Sequence, residues 1–108
     1  YFNGETMTIR ILGYDYHVKY SPSSEDGGME HSGRCSTGKQ TIIVDPDQAQ
    51  QNRESTVLHE IIEALNGHLE LNLEHRAVAS LEAGLYQALR DIGMDMSQLL
   101  NEAEKSNV

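Results

Sequence analysis

The feature that most constrains this chain is an apolar helix with ionisable residues at its centre. Val57, Leu58, Ile61, Ile62 and Leu65 recur at three- and four-residue spacing, the period at which one face of an α-helix meets a core. The pattern predicts a helix over residues 47–67, with Gly67 as its C-terminal stop. Inside that stripe the chain reads His59-Glu60-Ile61-Ile62-Glu63. Residues four apart lie one turn above each other, so His59 and Glu63 point the same way. An imidazole and a carboxylate so placed can grip one ion without bending the backbone. Glu60, offset by one residue, stands where a general base for a metal-bound water belongs. The ion lowers the pKa of that water, Glu60 takes its proton, and the hydroxide attacks a carbonyl that the ion polarises. The same letters would suit a surface helix with three solvated groups. The flanking apolar residues and a strand just upstream bring the metal site level with that reading.

That strand is the last of an N-terminal β-rich region. Residues 8–20 read as strand, turn at Gly13 and strand. Residues 40–44 form a short strand of apolar character, ended by Asp45-Pro46. Between them, residues 21–39 are rich in Gly and Ser and read as a loop, a surface connection more than a mobile flap over a cleft. Downstream, a second helix is expected over residues 73–92, with Val78, Leu81, Leu85 and Leu89 as its apolar stripe and Gly93 beyond its end. A third, weaker helix is expected over residues 97–105, with Ser97 as its N-cap. Strands first and helices after predict an α+β fold: a small N-terminal sheet packed on two long helices, with a short C-terminal helix. At 108 residues this is one domain, taken to run from Met7, read as the natural start, to residue 108, with residues 1–6 read as an appended remnant.

Composition narrows the partners. Eight basic residues against seventeen acidic ones give a net charge of −9, and the basic ones are scattered. Nucleic-acid binding needs clustered Lys and Arg, so it is not expected. Neither a membrane-spanning run nor a signal peptide is visible. The single cysteine, Cys35, excludes an internal disulfide and fits a reducing cytoplasm.

Resemblance sharpens the metal reading. The stretch T-I-I-V-D-P-D-Q-A-Q-Q-N-R-E-S-T-V-L-H-E-I-I-E-A-L, followed by L-N-L-E-H-R-A-V-A-S-L-E-A-G-L-Y-Q-A-L, resembles the small zincin-type metallopeptidases of phages and prophages. These are distant relatives of the immunity-region peptidases of the ImmA/IrrE type. The likeness extends from Met7 to about Gly93 and includes T-I-R-I-L-G-Y-D-Y-H-V near the start. It implies a strand before a helix bearing H-E-x-x-H, and a second helix that supplies a third ligand and ends in G-L-Y-Q-x-L. Gly84 to Leu89 match that ending. It further implies one zinc ion, a peptide or protein substrate laid along the edge of the strand at 41–44, and the cytoplasm of a phage-infected or lysogenic host.

One position departs from the family pattern: Glu63 replaces the second histidine. A catalytic zinc of this kind takes two imidazoles and one carboxylate, with a position left for water. If Glu63 is the carboxylate, a histidine should stand where the family's third-ligand glutamate lies, and that place holds Glu74-His75. The expected ligands are therefore His59, Glu63 and His75, exchanged between helices, with Glu60 as the base. Glu74 is a rival ligand, though an acid in a first helical turn is common without one. Glu82 is a further rival, or an acceptor that orients a ligand histidine. His17 and His68 are expected to be structural. His31 and Cys35 could form half a zinc site, or Cys35 could pack as a small apolar group. Tyr86 is expected in the core. The alternative to a peptidase is a non-catalytic, metal-stabilised module that binds and regulates a partner. A plain helical interaction domain without metal is a third reading.

Overall fold

A computed structural model describes residues 7–22 and 32–100. The architecture is α+β, as expected: a four-stranded sheet, two helices and a short 3-10 turn. Strands β1 (Met7–Ile11) and β2 (Tyr14–Tyr20) form an antiparallel hairpin, with Ile9 opposite Tyr16. Strand β3 (Gly33–Ser36) pairs antiparallel with β4 (Thr41–Val44), and β4 runs parallel to β2. The sheet order is β1-β2-β4-β3.

Alternation explains which face is covered. Tyr16 and Val18 are buried while Asp15, His17 and Lys19 are exposed, the period-2 signature of a sheet with one dry side. Helix α1 (Gln50–Leu69) lies on that side. Its Val57 and Ala64 join Tyr16, Val18, Ile42 and Val44 in the main core, with Ile61 and Leu65 packed against it. Each fully buried Val or Ile among them contributes about 1.5–3 kcal/mol by leaving water. A second face of α1, with Leu58 and Ile62, packs on Val78 of helix α2 (His75–Asp91). Helix α1 is thus the shared wall of both clusters, and its third face is left for chemistry.

Several expectations need correction. The region 21–39 is not all loop: its end forms β3, which hides Cys35 partly against the core. Strand β4 is internal rather than an edge, because β3 covers its free side. Helix α1 starts three residues later than expected. Asp45 accepts a hydrogen bond from the Asp47 N–H at 2.9 Å, and the Gln48 amide donates to Ser32 O and Asp45 O. That turn chemistry competes with helix. Gly67 is no stop either. The helix continues to Leu69 and ends on Glu70 in the left-handed region (φ 52°), with the Leu71 N–H on Asn66 O at 3.1 Å.

The α2 stripe is also rotated from expectation. Val78 is buried, but Leu81 and Leu85 remain 47% and 43% exposed. Glu82 and Tyr86 turn inward instead, because α1 offers them hydrogen-bond partners. The third helix is a 3-10 turn, Met96–Leu99, capped by Asp95 rather than Ser97. Asp95 accepts from both the N–H and the hydroxyl of Ser97. Residues 101–108, the rest of that expected helix, lie outside the described residues, as do 1–6. Among the described residues no helix is long and apolar enough to cross a membrane.

Candidate metal centre

The third face of α1 looks into an open cleft of about 930 Å³ between α1, the start of α2 and β3. Its lining includes His59, Glu60, Glu63, His75 and Glu82. His59, Glu63 and His75 each offer a ligand atom, and these atoms all lie within 4.8 Å of one another. They are the one such group of three among the described residues. His59 Nε2 stands 3.6 Å from Glu63 Oε2, and the His59 and His75 rings are 5.2 Å apart, tilted by 53°.

The set fits a borderline divalent ion: two imidazoles and one carboxylate. A tetrahedral zinc with bonds of about 2.1 Å holds its ligand atoms about 3.4 Å apart. The His59–Glu63 pair is already near that spacing. His75 would have to make up the remaining distance, and its exposed position at the first turn of α2 leaves its side chain room to turn.

The acceptor expected of Glu82 is where a ligand histidine needs it. His59 Nδ1 and Glu82 Oε1 are 2.9 Å apart. A proton on Nδ1 donated to this carboxylate leaves the Nε2 lone pair facing Glu63 and His75. The second oxygen of Glu82 accepts from the Ser55 hydroxyl, so the carboxylate is held at both ends. Ser55 lies one turn before His59 on the same face of α1, a position whose meaning shows only once α2 supplies Glu82.

Glu60 lines the same cleft close to Gly33 of β3 and is 6% exposed. Burial pushes its carboxyl up to about 7; His59 opposes this, and the negative charges of Glu63 and Glu82 add to it. A carboxyl tuned to neutrality beside the three candidate ligands can both take and return a proton. Gly33 brings β3 to it. A Cβ there would sit 2.5 Å from the Thr56 methyl and 2.7 Å from the carbonyl oxygen of Ile43, with Glu60 Cγ at 3.6 Å. Only glycine lets the edge strand lie this close to α1. Cys35, next along, is pushed up to about 11 by burial and by the charges of Glu60 and Glu63. It is a protonated group at neutral pH, packed against the core, which fits one of the roles left open for it.

Two further contacts register α2 against α1, and neither was foreseen. The Asn66 side chain accepts from the Leu73 N–H at 2.9 Å and donates to Leu73 O at 3.1 Å, just before His75. Farther along, the Tyr86 hydroxyl donates to Glu54 Oε1 at 2.6 Å, and Gln50 donates to the other oxygen. Tyr86 thus bridges the helices, packed against the second core cluster. Glu54 is buried at 4% exposure and is held by these two donors.

The remaining candidates fall away from the cleft. Glu74 is the exposed N-cap of α2, its carbonyl accepting from Ala77 and Val78, and it is not among the three converging ligands. His68 accepts or donates with the Tyr16 hydroxyl at 2.6 Å and stacks on Tyr14 at 4.4 Å. His17 lies 3.3 Å from the Thr8 hydroxyl on the exposed face of the sheet. Neither is among the three residues whose ligand atoms converge. His31, the other half of the supposed Cys35 pair, lies outside the described residues.

No protein-family model matches this chain, and no curated protein or solved structure is similar enough to it to count as a match.

Proposed function

We propose that this chain is a zinc-dependent peptidase of the minimal zincin kind, with His59, Glu63 and His75 holding one ion and Glu60 as general base. The observation that carries the reading is the convergence of three ligand atoms from two helices within 4.8 Å. Such convergence from separate elements is not what an ordinary solvated acidic face provides, and Glu82 orients one of the three. A bound zinc ion would supply Lewis acidity at the cleft.

The chain's own residues account for the rest. Glu60, buried beside the three candidate ligands, accepts a proton from the attacking water and returns it to the leaving amine. Among the described residues β3 is the outermost strand on its side of the sheet, and it is the strand beside which an extended peptide would add. That edge replaces the one first expected at residues 41–44, and Gly33 sets it against Glu60. A phage or prophage origin and a bacterial cytoplasm follow from the same resemblance and are part of the proposal.

The test uses protein purified without a histidine tag, loaded with zinc and offered a mixed peptide library. Glu60→Gln should keep the ion and lose turnover by about 10²- to 10⁴-fold. Zinc bound by both forms with no turnover in either would replace the peptidase with the metal-stabilised binding module.

A further inference from the structure

The outer face of α2 points away from the metal cleft and carries large apolar side chains in water. Leu81 and Leu85 are 47% and 43% exposed, and beyond them Ile92 and Met94 are 75% and 52% exposed. Leu81, Leu85, Ala88 and Ile92 recur at the spacing of one helix face. Charge singles this face out. The chain carries a net charge of −9, which opposes self-association over most surfaces. Within α2, however, the only acid before Asp91 is Glu82, and that one is turned to His59 and Ser55. The exposed stretch between Ala77 and Ala88 is therefore uncharged.

We infer that two copies of this chain pair through the outer faces of α2, antiparallel, about a two-fold axis at Gly84. This goes beyond the peptidase reading and does not depend on it. In that arrangement Ser80 of one copy opposes Ala88 of the other, since each lies four residues from Gly84. Small residues at the crossing let the two backbones approach, and Leu81 and Leu85 of each copy close over them on the flank opposite Arg76 and Asp91. Arg76 and Asp91 then come level, at about 12 and 10 Å on either side of the axis along the helix. Both are exposed and neither is in an ion pair among the described residues. They lie on one flank of α2, so the two-fold axis sets Arg76 of each copy beside Asp91 of the other. The pairing is self-complementary in charge as well as in shape. One helix face is small for a stable interface, so the dimer depends on concentration. The cleft stays open in both copies.

Sedimentation equilibrium on the full chain, from about 5 to about 500 µM, tests the pairing. A reversible monomer–dimer equilibrium is expected. Gly84→Gln should weaken it at least about tenfold, while leaving the circular dichroism of the dilute monomer unchanged, because a Cβ at Gly84 meets nothing within 4 Å. Arg76→Asp and Asp91→Arg should each weaken it about two- to fivefold, and the two together should restore it. A monomer at every concentration overturns the inference and leaves the face to a different partner. So does a dimer indifferent to Gly84→Gln, or a double variant no tighter than the single ones.

Discussion

Glu60 couples the site to stability. Its carboxyl is raised in the fold, from an ordinary 4.5 to about 7, chiefly by burial. A group whose folded pKa lies above its unfolded one leaves stability intact at low pH and withdraws it as the unfolded chain ionises first. The metal-free protein should therefore lose stability between about pH 4.5 and pH 7. Glu60→Gln removes the effect and should stabilise that form by roughly 2–3 kcal/mol at pH 8 and by little at pH 4. Urea unfolding with a chelator present, at both pH values, measures the difference; a gain equal at both would contradict the assignment. Glu82 acts differently, through the ring it orients. Glu82→Ala should lower zinc affinity about 10- to 100-fold while leaving the three ligands in place, a loss that competition with a chromophoric chelator reads directly.

At the scale of elements, two backbone positions should respond in opposite senses. Glu70 holds a left-handed conformation at the end of α1 (φ 52°) that costs a side chain about 1 kcal/mol. Glu70→Gly should stabilise the fold by that amount in thermal or urea unfolding. Gly33→Ala forces β3 off α1, because the added Cβ meets a side chain at 2.5 Å and a backbone oxygen at 2.7 Å. It should cost about 1–3 kcal/mol and reduce peptide turnover more than zinc binding.

These elements also show how far the sequence could be read. The class, the β1–β2 hairpin, β4 and both helices were legible, because each carries its own hydrophobic period. His59, Glu60 and Glu63 were legible because their spacing lies within one helix. His75 came into view only through the expectation of a zinc ligand set, and the cleft brings it alongside the other two. What stayed hidden depends on partners distant in sequence. Strand β3 has no apolar alternation, and exists as a strand because β4 pairs with it and Gly33 fits under α1. The rotation of α2 follows from Glu82 and Tyr86 finding Ser55, His59 and Glu54, which a stripe of leucines does not foretell. The end of α1 was misplaced because Gly67 serves packing rather than termination: a Cβ there would meet the Thr37 methyl at 3.1 Å.

For the whole molecule, the ion is expected to link binding to folding. The candidate ligands come from α1 and the first turn of α2, so a metal bound to all three ties those elements together. At a free zinc concentration about 100 times Kd the fold gains about 3 kcal/mol. For a domain of this size that corresponds to a rise in Tm of about 10 °C or more, which a chelator should reverse in a thermal scan. The measurement that tests the central claim most directly is the zinc stoichiometry of the untagged protein and of His75→Ala, by elemental analysis after dialysis against buffered zinc. One ion per chain in the wild type, and loss of most of it in the variant, is the predicted result. No ion in the wild type, or full retention in His75→Ala, would contradict it.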